Sequence, residues 1–328
     1  MIRGRAGRVA WAASRAAPSV HPTLGTVVMA TGIVSTALSL AGFEPVSDAL
    51  LALTAVFWIA LAAGLATHLA ARPRETLRRQ ATTPASLAVV AGTAVLADRL
   101  VVLGWKPAAI ALILLAAALW LTLLGPVLTH WSVPTTGGSF LLPVSTLSLG
   151  LALATLADAG HPLWCLALAA LLLAPGLIAY GVVLARFEAR QLLVGHGDHW
   201  VAGGALALSA LVAARIAGGL DAAGVPDGVP ALAALVLLGL ALAWLPVLVA
   251  CEVRAPRTRY HAGRFATVFP LGMYAVASFV VGGVNQIGAL EAFASVWTWV
   301  AFGAWVGVLG AMTVRAVVQR HRERLQRP

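Results

Sequence analysis

Apolar residues run through this chain in long blocks separated by short polar gaps. None of the blocks shows the ten-residue alternation of a membrane strand. Ten runs stand out, over 22–42, 48–70, 83–104, 107–129, 137–158, 161–185, 200–220, 229–251, 263–284 and 290–316. Each is about 20 residues or longer, the length that takes a helix across roughly 30 Å of hydrocarbon. Backbone amides in lipid must be bonded within their own segment, so helices are the expected answer. The pattern predicts an all-α integral membrane protein with ten transmembrane helices. Residues 1–21 form a basic arm, 22–316 the membrane domain and 317–328 a basic tail.

Composition agrees. The chain is 60% hydrophobic and 10% charged, too little charge to cover a water-soluble fold of this size. The formal net charge of +10 would suit nucleic acid, but its distribution argues for a lipid bilayer as partner instead. Of the 22 basic residues, 17 lie before the first run, after the last, or in the gaps after runs 2, 6 and 8, and Arg264 and Arg315 stand at the ends of runs 9 and 10 on that same side. The other gaps and the run ends beside them carry Glu44, Asp48, Asp158, Asp221, Asp227 and Glu291. The positive-inside rule places both termini in the cytoplasm, as an even number of crossings requires. The first 20 residues lack the apolar core of a signal peptide. The expected location is the inner (plasma) membrane.

The odd runs open alike, with HPTLGTV, TTPASLA, TTGGSFL, HWVAGGA and AGRFATV, at intervals of about 60 residues. This reads as five tandem helical hairpins. Gly, Ser and Thr make up about a third of the odd runs and about an eighth of the even ones, which are Leu, Ala and Val with Trp near their ends. Small and hydroxylated residues suit close packing or a watery lumen, whereas lipid asks only for apolar surface. The odd helices are therefore expected inside and the even ones outside. Pro143 and Pro270, inside odd helices, are expected to free carbonyls and bend their helices. Pro175 and Pro246 break even helices too, so proline alone does not separate the two sets.

Two stretches carry a family resemblance. VMATGIVSTALSLAG (28–42) resembles the Met-x-Thr-Gly-Ile signature of the tellurite-resistance/dicarboxylate transporter family. RFATVFPLGMYAVASF (264–279) resembles its ninth-helix segment with a Phe-Pro pair. That family includes TehA-type proteins, malate permeases, sulfite exporters and plant slow-type anion channels. The resemblance implies five hairpins around a pseudo-fivefold pore lined by the odd helices. It also implies a homotrimer, and an occluding gate at Phe269. Where the family often has paired Trp before the gate, this chain has Arg264 and Phe265.

Arg99 and Arg215 each lie 15 residues past the start of an odd helix, roughly 22 Å deep at 1.5 Å per residue. Rings of Arg select anions in pores. The competing reading is snorkelling, or pairing of Arg99 with Asp98 or Asp221. Thr31, Ser35, Ser145, Thr146 and Ser148 are mid-membrane hydroxyls that can donate to an anion's oxygens, or back-bond to a carbonyl one turn earlier. No cofactor or metal site is expected. Cys165 and Cys251 lie inside helices without spaced co-ligands, and GHGDHW (195–200) reads as the loop between helices 6 and 7.

The leading function is transport of small anions, either C4-dicarboxylates such as malate or sulfite and other inorganic anions, through an aromatic-gated pore. A proton-coupled carrier with alternating access is the alternative. It needs a titrating group, and no Asp or Glu stands at the middle of an odd helix. A sensor or scaffold would show a cytoplasmic output domain, and an enzyme would need paired catalytic groups at membrane depth. Neither pattern is found. Tellurite resistance does not follow from these residues.

Overall fold

The computed structural model describes residues 23–71, 81–131, 133–194, 197–257 and 262–325. The arm 1–21 and the run Arg72, Arg74, Arg78 and Arg79 lie outside the described residues. Ten long helices account for nearly all of the rest: α1 Thr23–Leu40, α2 Glu44–Ala71, α3 Ala88–Val102, α4 Lys106–Thr129, α5 Leu141–Asp158, α6 Trp164–Ala185, α7 Val201–Ala222, α8 Gly228–Arg254, α9 Phe265–Val284 and α10 Gly288–Leu325. Among the described residues, nine helices are long and apolar enough to cross a membrane. α1 is a shorter apolar helix, Leu24–Leu40 by the same measure. The last helix runs to Leu325, through most of the stretch read from sequence as a tail.

Four helices share one way of starting. A 3-10 turn precedes α3 at Pro84–Leu87, α5 at Gly137–Phe140, α7 at Asp198–Trp200 and α9 at Ala262–Arg264. These are the starts that looked alike in sequence. Pro143 is the third residue of α5, in the first turn, where a missing N–H costs little. The bend expected there is not needed. Pro270 is the sixth residue of α9 and removes the ladder donor of the Ala266 carbonyl.

Contacts sort the helices into two layers. α1 packs on α3, α3 on α5, α5 on α7, α7 on α9, and α9 back on α1. Each even helix packs on the odd helix before it. In the apolar windows of α3, α5, α7 and α9, 72–89% of residues are buried, against 17–28% in the even helices. Every residue of α1 from Gly25 to Leu38 is buried as well.

Glycines explain how closely the inner helices approach. A Cβ on Gly25 of α1 would stand 2.7 Å from the backbone carbon of Ala88 at the start of α3. On Gly204 of α7 it would stand 2.9 Å from Pro270 of α9, and on Gly272 of α9 it would stand 2.7 Å from Ile33 of α1. At the α3–α5 seam, Ala97 and Val101 share a cluster with Ala152 and Leu156. Much of the Gly bias read from sequence therefore goes into helix seams.

A second device ties the layers together. Trp58 of α2 donates to Thr93 of α3, Trp120 of α4 to Thr146 of α5, and Trp305 of α10 to Thr31 of α1, each at 3.0 Å. These three outer helices thereby reach the inner helix of the next hairpin, the last reaching the first. Each threonine also donates to the carbonyl four residues earlier. At α8–α9 the direction reverses, and Tyr274 donates to the Ala241 carbonyl at 2.9 Å.

Candidate functional site

Neighbouring contacts fix which way each inner helix faces. On α9, Pro270 meets α7 and Gly272 meets α1, while Tyr274 turns to α8. At 100° per residue, Phe269 falls between the two inner neighbours and opposite the outer layer, with Phe265 and Met273 on the same face. Phe269 is fully buried. On α1, Gly32 meets Val95 of α3 and Ile33 meets Gly272 of α9. That puts Met29 on the interior face, one turn below Ile33. In Met-Ala-Thr-Gly-Ile, Met29 thus faces the interior, Thr31 the outer helix α10, and Gly32 and Ile33 the two ring neighbours.

The two arginines part company. Arg99 is 2% exposed and donates from Nη2 to Ser47 Oγ of α2 at 2.9 Å. Ser47 Oγ donates to the Ser35 carbonyl, and Ser35 Oγ donates to the Ser47 carbonyl, both at 2.8 Å. Arg99 and Ser35 thus join one polar knot among α1, α2 and α3. Arg215 lies between Val212, which meets Gly150 of α5, and Gly219, which meets Leu166 of α6 and Asp158 of α5, on one side, and Gly204 and Gly218, which face α9, on the other. It therefore stands on the interior face of α7. Its Nη1 pairs with Asp158 Oδ2 of α5 at 3.4 Å, and its side chain is 24% exposed.

The hydroxyls divide likewise. Thr31 and Thr146 each donate to a carbonyl of their own helix and accept from a Trp of the outer layer. Ser145 donates to the Leu142 carbonyl at 2.9 Å. Ser148 is 1% exposed, and its hydroxyl has no hydrogen-bond partner among the described residues. Its position on α5, opposite Thr146 and Leu147, is interior. Replacing Thr31 by the near-isosteric Val should cost about 1 kcal/mol for the lost Trp305 bond and leave anion preference unchanged. A thermal unfolding midpoint in detergent equal to wild type would show that the bond contributes nothing.

Sequence reasoning missed the acidic side of this site. Asp98 is 5% exposed on α3, one residue before Arg99 and so turned 100° from it, toward α5 and the interior. It interacts electrostatically with Arg215 and sits beside Thr155. From sequence Asp98 stands out only as a partner for Arg99. At the opposite end, Glu252 of α8 accepts from Arg264 at 2.9 Å, Arg257 at 2.8 Å and Trp200 at 3.3 Å. Asp198 Oδ2 accepts from the Gly138 amide at 2.8 Å. The described part of GHGDHW thus clamps the starts of α5, α7 and α9. Gly195 and His196 lie outside the described residues. Among the described residues, no group of three or more His, Cys, Asp or Glu has a metal-holding arrangement.

Taken from one end to the other, the ring interior carries a buried aromatic beside a proline break, a lone serine hydroxyl, and an arginine held by carboxylates. This suits the passage of a small anion better than any bond-breaking chemistry. Two uncharacterized membrane proteins of Mycobacterium tuberculosis, from strains CDC 1551 / Oshkosh and ATCC 25618 / H37Rv, are similar to part of the chain. Each is 34% identical over 122 residues, which is 35% of this chain and 61% of the relative. The match spans less than two thirds of those relatives' length. A family model described as voltage-dependent anion channel matches residues 19–313. The family's members are membrane transporters and channels rather than enzymes, and this chain belongs to the voltage-dependent anion channel family.

Proposed function

We propose that the protein carries small anions across the inner membrane along the axis enclosed by α1, α3, α5, α7 and α9. In this reading all ten helices cross the bilayer as five hairpins around a pseudo-fivefold pore, with both termini in the cytoplasm. The candidate substrates are C4-dicarboxylates such as malate, and sulfite or other small inorganic anions. The observation that carries the reading is Arg215 on the inner face of a closed ring that also buries Phe269. Phe269 closes the path at rest, with Pro270 weakening the helix behind it. Arg215, 11 residues further along the parallel α7 than Gly204, stands roughly 16 Å from that plug. Arg99 is assigned to holding three helices together, because its donor goes to Ser47. A homotrimer in the membrane is part of the proposal.

Arg215→Gln should lower anion flux into liposomes about tenfold while insertion and folding persist. Arg215→Glu should lower it further, since repulsion is added to lost attraction. Unchanged flux in both would take Arg215 out of the pathway. The second reading, a proton-coupled carrier, gains support from Asp98, an acid on the interior face of an odd helix.

A further inference from the structure

Arg215 does not meet an incoming anion as a free cation. Asp158 of α5 is paired with it at 3.4 Å, longer than the 2.7–2.9 Å of a well-formed charge-assisted bond. Asp98 of α3 lies within its electrostatic reach. Arg99 turns from this cluster to Ser47, and Lys106 at the start of α4 goes to the Ala159 carbonyl. Two carboxylates therefore share one guanidinium on the interior face. Three buried polar atoms of the cluster have no hydrogen-bond partner among the described residues: Asp98 Oδ1, the Thr155 hydroxyl and Arg215 Nε. Asp98 and Thr155 are 5% and 3% exposed, so water does not make up the loss cheaply.

We propose that these residues form an anion site that the chain's own carboxylates occupy at rest, and that Asp98 is the group a substrate anion displaces. The ligand class is a small carboxylate or oxyanion. One of its oxygens accepts from Arg215 Nε, which has no partner among the described residues, and another from the Thr155 hydroxyl, which lies against Asp98 at rest. Asp98 sets specificity by competition. Ionised, it holds Arg215 and repels a second negative charge. Protonated from the adjacent aqueous phase, it gives up that hold and can donate to the bound anion. The groups facing Asp98 are Thr155 and Asp158 of α5, Arg215 of α7 and Arg99 of its own helix. The proposal rests on the transport reading above and adds that uptake is set by competition inside the ring.

The test uses the full chain in liposomes and as purified protein in detergent, with malate, sulfite and nitrate as probes. In wild type, acidifying the outer solution should lower the half-saturating external anion concentration. Asp98→Asn should lower it about tenfold at neutral pH and flatten its pH dependence. Asp158→Asn should act in the same direction but less, because its pair with Arg215 is long and partly exposed. Thr155→Val should raise it at every pH. An Asp98→Asn protein whose half-saturation and pH profile match wild type overturns the proposal. So does a Thr155→Val protein with unchanged affinity, which also serves if Asp98→Asn does not fold. Stabilisation of the detergent-solubilised protein by the same anions keeps the two readings apart. Stronger stabilisation of Asp98→Asn without flux supports the site and sinks transport. Equal stabilisation of both proteins by every anion removes the site.

Discussion

Phe269→Ala opens a leak: basal anion conductance across a planar bilayer rises by at least about tenfold, and anions remain preferred over cations. In the proposed reading the wild-type ring is shut by bulk. Phe269 is fully buried and faces the interior, and Phe265, Met273 and Met29 share that face. Truncating it to Ala removes the ring that excludes water at this level, so an ion keeps more of its hydration as it passes. Selectivity survives because Arg215 lies at another depth. Phe269→Leu should leak less than Ala, since more apolar bulk remains. Phe→Ala in a packed core typically costs 3–5 kcal/mol, so each variant is compared after its folding is checked by size-exclusion chromatography. A folded Phe269→Ala protein no leakier than wild type would make Phe269 a packing residue, and alternating access would become the better account.

A large effect on folding is expected at Gly25, at the seam between two inner helices. Its added Cβ would meet backbone atoms of α3, Ala88 C at 2.7 Å and Val89 N at 2.8 Å. Backbone cannot swing aside as a side chain can. Across the seam, a Cβ on Gly92 would stand 3.1 Å from the Gly25 carbonyl oxygen. Gly25→Val therefore has to push α1 away from α3 and open the ring, at a cost at or above the usual 1–3 kcal/mol of overpacking. The control is Gly239 of α8, which has no atom of the described residues within 4 Å of a built Cβ. Gly239→Val should elute as a single folded species with a wild-type unfolding midpoint, while Gly25→Val should aggregate or unfold well below it. Matching behaviour of the two would show that close approach at Gly25 does not hold the ring together.

Composition made the two layers legible because lipid and protein ask different things of a helix. An outer helix needs only apolar bulk, whereas an inner one needs room for backbones to approach, and Gly25, Gly204 and Gly272 supply it. Depth was also readable, since 1.5 Å per residue converts position to height. Azimuth was not. Asp98 and Arg99 are adjacent in sequence, yet the 100° between them sends one toward the interior and the other to Ser47. Neither direction can be assigned until the neighbours of α3 are known. The same limit hid the interlayer bonds. Composition suggests Trp near the ends of the outer helices, but Trp58, Trp120 and Trp305 stand well inside α2, α4 and α10 and spend their N–H groups on Thr93, Thr146 and Thr31. Thr31 and Thr146 looked like pore hydroxyls because their depth is right. Their azimuth puts them between layers, and Ser148 and Thr155 are the α5 hydroxyls left unbonded among the described residues.

The central claim is that this ring passes anions, and flux through the purified protein measures it most directly. Wild-type and Phe269→Ala proteins in sealed liposomes would be challenged in turn with malate, succinate, sulfite, nitrate and chloride, with potassium flux followed as the cation control. The account predicts protein-dependent entry of at least one of these anions, faster in Phe269→Ala, with potassium held back in both. Liposomes that admit no anion above protein-free controls in either protein, or that pass potassium as readily as anions, would contradict it.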